Sequence, residues 1–257
     1  MYPRKKLFAL RWLMALSALS ALSAGGLAVA AGPSAPGGLY VGYYQEDPLS
    51  NPEDPMPGAF VLNLPEKDAA FEGAMFFTFV GCQSSNVGTV KGNKAGYDLS
   101  GTWSGNIDNS AQSGPYHGRY DPASGYYTGV YSNAAGKQFK DIPGCIKYYI
   151  GPNGSWEMFA VEQNQPASFK VTVSASKVSW PKLPNAAMTL VYVIEPGMAK
   201  AGGANPIKFQ TVVPAQVTSF SIPAGGLTKG KEYIAATLIA DGKAKRLAFA
   251  SKRFVAP

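Results

Sequence analysis

The chain has 257 residues, with 23 Lys and Arg against 16 Asp and Glu, one histidine, two cysteines and a formal net charge of +7. That length suffices for two modest domains. With His117 as the single histidine, a Cys/His zinc site cannot be assembled, and any serine triad would have to use that one residue. No Gly-x-Ser-x-Gly elbow and no phosphate-cradling glycine loop occurs, so neither cofactor nor metal is indicated.

The N-terminus reads as an export signal over residues 1–30. Arg4, Lys5, Lys6 and Arg11 precede an uncharged stretch, 12–30, that ends in Ala28-Val29-Ala30, a small-x-small cleavage pattern. An uncleaved anchor is the competing reading, because such a stretch nearly spans a bilayer. Ser17, Ser20, Ser23 and Gly25-Gly26 weaken it. Cleavage near Ala30 predicts a periplasmic or extracellular protein with no membrane span, followed by a Pro/Gly-rich linker at 31–37. In an oxidising compartment Cys82 and Cys145 favour one disulfide, worth about 4 kcal/mol on the chain-entropy argument. Buried thiols, or a metal pair lacking further ligands, are the alternatives.

Residues 38–162 carry Gly-x-aromatic-x-Gly four times, centred on Tyr40, Trp103, Tyr116 and Tyr127. Alternate residues of a strand share a face, so each copy places glycines and a ring on one side. Rings lying over the glycines of neighbouring strands would cover otherwise bare backbone. Apolar runs at 58–64 and 71–80, then strands at 96–108, 114–121 and 125–132 with short connections, predict an antiparallel meander of eight to ten strands. It would be closed into a barrel or folded on itself. Residues 145–150 and 156–161 read as a hairpin through Gly151-Pro152-Asn153-Gly154. Gly101-Thr102-Trp103-Ser104-Gly105 with Gly118-Arg119-Tyr120-Asp121 is similar to strand starts in avidin-like barrels, and no binding residue is carried over from that likeness.

The face opposite the rings carries Thr102, Ser104, Asn106 and Asp108, with His117, Arg119 and Asp121 beside them. Asp108 and Asp121 could act as an acid/base pair on a glycosidic bond, with His117 as a base. The solvent side of a sheet carries the same residue types without any chemistry, and Asp121-Pro122-Ala123-Ser124-Gly125 reads as a turn. Tyr43 and Tyr126 share the polar side and complete a candidate ligand surface of Asp108, His117, Arg119, Asp121, Tyr43 and Tyr126.

Residues 165–257 alternate as a second β domain. Val178-Ser179-Trp180-Pro181, Leu190-Val191-Tyr192-Val193-Ile194, Phe220-Ser221-Ile222-Pro223 and Leu227-Thr228-Lys229-Gly230-Lys231-Glu232-Tyr233 follow in order. This stretch resembles a fibronectin type III domain. The resemblance implies a β-sandwich, Trp180 between its sheets, and Tyr233 bonding back to the preceding loop as a tyrosine corner. It departs from the family at Ala235 and Thr237, which are small for the core.

Charge divides the halves: residues 31–162 carry 7 basic and 13 acidic side chains, residues 163–257 carry 12 and 3. The two units could attract each other or separate partners. Lys243, Lys245, Arg246, Lys252 and Arg253 read as a solvated edge strand or as a contact for an anionic polymer. The whole predicts an all-β, exported, non-enzymatic binding or adhesion-type protein whose partner is a glycan, peptide or envelope protein. The alternatives are a structural component of the cell envelope and a glycan hydrolase.

Overall fold

The computed structural model describes residues 33–46, 58–78, 85–107, 110–134, 138–140, 148–150, 153–163, 167–198, 206–243 and 245–257. The export signal, its cleavage site, Cys82, Cys145 and Asp108 lie outside them.

The period-two pattern of the N-terminal half becomes β1 (Gly38–Glu46), β2 (Gly58–Leu64), β3 (Ala69–Thr78), β4 (Ser85–Ala95), β5 (Asp98–Ile107), β6 (Ser110–Asp121) and β7 (Tyr126–Ser132). A small hairpin of β8 (Gln138–Lys140) and β9 (Tyr148–Ile150) precedes β10 (Asn153–Ala160). Eight of these form one antiparallel sheet in the order β2-β1-β10-β7-β6-β5-β4-β3. Every ladder neighbour except β1 with β10 and β7 with β10 is consecutive in sequence. This is an up-and-down meander that curls until β2 approaches β3, leaving a nearly closed barrel.

One predicted hairpin is corrected. Both edges of β10 are occupied by β1 and β7, so residues 148–150 pair with β8 instead. Gly154 belongs to β10, at a position where the Tyr131 ring lies against its backbone.

The rings do point inward, in three layers along the barrel. Tyr44, Tyr131 and Trp103 make one, with edge-on centroid separations of 6.0 and 6.1 Å. Phe60, Trp156 and Tyr116 make the next, with both separations 6.3 Å. Tyr40, Tyr127 and Tyr120 make the third, at 5.5 and 5.1 Å, and Tyr97 lies beside Tyr120. Edge-to-face contact suits the ring quadrupoles. The Trp156 ring covers Gly118 and Gly129, and Phe60 covers Gly42. Both barrel tryptophans donate their indole N–H to β7 carbonyls, Trp103 to Ser132 at 3.0 Å and Trp156 to Val130 at 3.2 Å.

Residues 33–37 are not the free linker that their composition suggests. They pack at one end of the barrel, where Ala35 is buried and its N–H donates to Gly96 O at 2.9 Å. The Tyr40 hydroxyl donates to Pro36 O at 2.8 Å. The Ser34 hydroxyl donates to the Asp68 carboxylate, and the fully buried Lys94 ammonium donates to Ser34 Oγ at 2.9 Å and lies 3.5 Å from Asp68. A buried ammonium persists only with such partners.

The C-terminal half supplies β11 (Thr172–Ser174), β12 (Lys177–Ser179), β13 (Met188–Ile194), β14 (Ile207–Pro214), β15 (Ser219–Ser221), β16 (Glu232–Ala240) and β17 (Arg246–Val255). A three-stranded sheet, β11-β12-β15, packs on a four-stranded one, β14-β13-β16-β17. Trp180, Val178, Phe169, Val191, Val193 and Tyr233 fill the space between them. The Tyr233 hydroxyl accepts the Thr228 N–H at 3.0 Å, tying β16 to the loop before it.

The four-stranded sheet is buried on its other face as well. Leu190, Tyr192, Ile194, Ile234, Ala236 and Leu238 form one apolar core with Val41, Tyr43, Ala59, Val61, Phe159 and Val161, outward residues of the barrel wall and the Val161 that follows it. Barrel and sandwich therefore share a core, and residues 33–257 form one compact unit.

Two predictions follow from this packing. Trp156→Ala, which empties the middle layer, is expected to cost about 3–5 kcal/mol. Gly129→Ala, which drives a methyl into the same ring, is expected to cost about 1–3 kcal/mol in urea unfolding. The second concerns Asp68, whose carboxyl is held below its ordinary 3.8 by the Ser34 hydroxyl, the Gly96 N–H and Lys94. A lowered carboxyl contributes stability that is full above the ordinary value and is lost as pH falls through the folded one. Asp68→Asn should therefore melt lower at neutral pH and lose less on acidification than the parent, by thermal melts from about pH 6 to about pH 2.

Candidate functional site

Inward rings fix which residues face out, and the registers then align them in rows. Tyr43, Glu157, Thr128 and Arg119 are cross-strand partners over β1, β10, β7 and β6. The next row is Gln45, Ser155, Val130 and His117. Phe159, Tyr126 and Asp121 form the row on the other side. The structure thus brings Tyr43, Tyr126, His117, Arg119 and Asp121 onto one wall of the barrel.

They do not share one environment. Tyr43 and Tyr126, read from sequence as exposed contact aromatics, face outward from the barrel but meet the sandwich. Tyr43 is 6% exposed, and Tyr126 packs half-buried against the shared core. The reason is that β1 and β2, with Phe159 of β10, carry apolar outward residues, which the four-stranded sheet covers. His117, Arg119 and Asp121 stay exposed, as do Thr102, Ser104 and Asn106.

Their polar contacts are local. Arg119 pairs with Asp98 at 2.6 Å, both well exposed, and lies 6.0 Å from the Tyr97 ring centroid. The Asp121 carboxylate accepts the Ala123 N–H at 2.9 Å and the Ser124 hydroxyl at 2.7 Å, which close the turn into β7. Those donors, the Ser124 hydroxyl foremost, hold its carboxyl below the ordinary range. An acid that donates protons near neutrality needs the opposite shift. His117 has no hydrogen-bonded carboxylate among the described residues.

The five basic residues of the last strand pair are not a single patch. Lys252 and Arg253 lie at one end of β17, where Lys252 pairs with Glu162 at 3.3 Å and Arg253 with Glu232 at 2.8 Å. The Arg253 N–H also donates to Glu162 at 2.8 Å, and Glu162 N–H to Ser251 Oγ at 2.9 Å, pinning the segment between the domains. Arg246 lies at the other end, about 20 Å away at strand rise, preceded by Lys243 and Lys245 in the turn. Its guanidinium donates to Glu157 of β10 and sits 4.6 Å from the Tyr126 ring and 5.0 Å from Phe159. Burial pulls this guanidinium down, but the Glu157 hydrogen bond and charge outweigh it and hold the group above its ordinary value. The Tyr43 hydroxyl donates to the same carboxylate at 2.8 Å.

Beside this ion pair the turn and the barrel wall border a half-open cavity of about 260 Å³, lined by Gln45, Thr128, Ser155, Glu157, Lys243 and Lys245 among others. Of its lining, the sequence reading had singled out Tyr43 and the basic residues. Gln45, Thr128, Ser155 and Glu157 were missed. They are visible as outward positions of alternating strands, but only the β1-β10-β7 register shows that they are neighbours. Compared with family models, curated proteins and solved structures, the chain matches none.

The ion pair at this junction is testable. Arg246→Ala leaves Glu157 half-buried with only a tyrosine partner and is expected to cost about 2–3 kcal/mol. Arg253→Ala, at the exposed end of the strand, should cost about 0–1 kcal/mol. Urea denaturation of the two variants measures the difference.

Proposed function

We propose that this chain is an exported, non-enzymatic binding protein, periplasmic or extracellular, whose ligand seats where barrel and sandwich meet. The observation that carries the reading is the pocket of mixed polar and apolar lining at that junction, walled by β1, β7 and β10 on one side and by the β16–β17 turn on the other. Ligand sites concentrate where two domains join. A shared apolar core beside the cavity keeps the walls in fixed relation, which lowers the entropic cost of binding.

Within this reading the C-terminal domain is a fibronectin type III-like sandwich. A three-stranded sheet over a four-stranded one, Trp180 between them and the Tyr233–Thr228 bond all support that assignment. Its role here is to build half of the site, rather than to space the barrel from an anchor. The signal-like composition of residues 1–30 and the even number of cysteines support the compartment. Against hydrolysis stand the ionised, turn-bound Asp121 and the isolated His117.

An array of glycans, peptides and envelope extracts, probed with the purified secreted chain, tests the reading. At least one saturable ligand in the micromolar range is expected, lost when Thr128 and Ser155 are replaced by bulky Phe. Silence across the array, or a ligand indifferent to both substitutions, would dismiss it.

A further inference from the structure

Resting on the binding-protein reading, we propose that the junction cavity takes a carboxylate-bearing sugar unit, a uronate of an acidic glycan. Its charge comes from the β16–β17 turn. The Asp241 carboxylate accepts the backbone N–H groups of Lys243 and Lys245 at 2.8 and 2.9 Å, so its oxygen faces the turn's own backbone. Both lysines line the cavity, and neither forms an ion pair among the described residues. Arg246 contributes little free charge because Glu157 neutralises it. Two ammonium groups against the single Asp241 carboxylate leave this turn net positive, a cationic rim that attracts and orients an anion.

The opposite wall decides against a bare anion. Thr128 and Ser155 are exposed, and their hydroxyls lie on adjacent outward rows with the Gln45 amide next to Ser155. Hydroxyl and amide groups both donate and accept, which suits ring hydroxyls. At about 260 Å³ the space is just below the roughly 300–1,000 Å³ of pockets for drug-sized ligands, so one monosaccharide unit is the scale that fits.

The wall also provides for a continuing chain. Val130, 45% exposed, is the cross-strand neighbour of Ser155, and His117 follows it on β6. A glycan leaving the cavity would cross these strands at about 4.8 Å per step. It would meet an apolar step, then His117, with the Arg119–Asp98 pair in the adjoining row.

Calorimetric titration of the secreted chain with an oligogalacturonate, its methyl ester and inorganic phosphate tests the proposal. The oligogalacturonate is expected to bind saturably and to weaken as salt is raised. The methyl ester, uncharged but with the same rings, should bind about tenfold more weakly. Lys243→Gln with Lys245→Gln should weaken the acidic ligand about tenfold without lowering the melting temperature. Thr128→Ala with Ser155→Ala should weaken it while leaving its salt dependence intact.

Methyl ester binding as well as the acid, or an unchanged double lysine variant, would overturn the proposal. Phosphate competing as strongly as the sugar would remove the saccharide part and leave a plain anion site. An array ligand that is neutral and indifferent to the lysines would sink this inference while the binding-protein reading stands. Silence from these three probes sinks this inference alone, and silence across the array as well sinks both.

Discussion

The structure depends on one steric relation, an aromatic ring packed against backbone that has no side chain. Gly42, Gly118, Gly129 and Gly154 each leave room for the ring of Phe60, Trp156 or Tyr131 at a distance that a methyl group would forbid. Rings seated in this way fill the barrel in three layers and cover polar backbone that would otherwise face a void. They also set parity. Because side chains alternate, fixing Tyr116 and Tyr127 inward fixes His117, Arg119, Tyr126 and Thr128 outward.

The outward wall has two characters, and their boundary is where the site lies. On β1, β2 and the Phe159 end of β10 it is apolar, and the four-stranded sheet closes over Val41, Val61 and Phe159, with Phe159 stacked on Phe249 at 4.3 Å. On β5, β6 and β7 it is polar and open to water. Glu157 sits at the change from one to the other and holds both Arg246 and the Tyr43 hydroxyl. The cavity begins where the apolar contact stops.

Much of the barrel was legible in the sequence because glycine and ring positions repeat at strand spacing. Tyr40, Trp103, Tyr116 and Tyr127 could be assigned inward from Gly-x-aromatic-x-Gly, whereas Phe60 and Trp156 lie outside the motif, and the short connections gave the meander. The sandwich was legible through Trp180 and the Leu227–Tyr233 turn. What escaped was the union of the two. It had a signal: residues 58–64, 190–194 and 234–240 are apolar without alternation, as strands buried on both faces are. Small Ala235 and Thr237, which look like an underfilled core in isolation, belong to a sheet whose opposite face supplies Ile234, Ala236 and Leu238 to the shared core. Tyr43 was placed correctly outward and wrongly in water, because alternation tells the side of a strand and not what lies beyond it. The candidate site was less legible still, since Gln45, Thr128 and Ser155 are ordinary residues until the register aligns them.

A sheet that is greasy on both sides has an evolutionary consequence. The final ninety or so residues cannot be shuffled among other proteins as a free-standing cassette, because excision would bare Leu190, Tyr192, Ile194 and Leu238 to solvent. The barrel is likewise tied to its companion through Val41 and Phe159. Each half needs the other to cover its apolar wall, and a substitution on one side of their seam changes the packing required of the other.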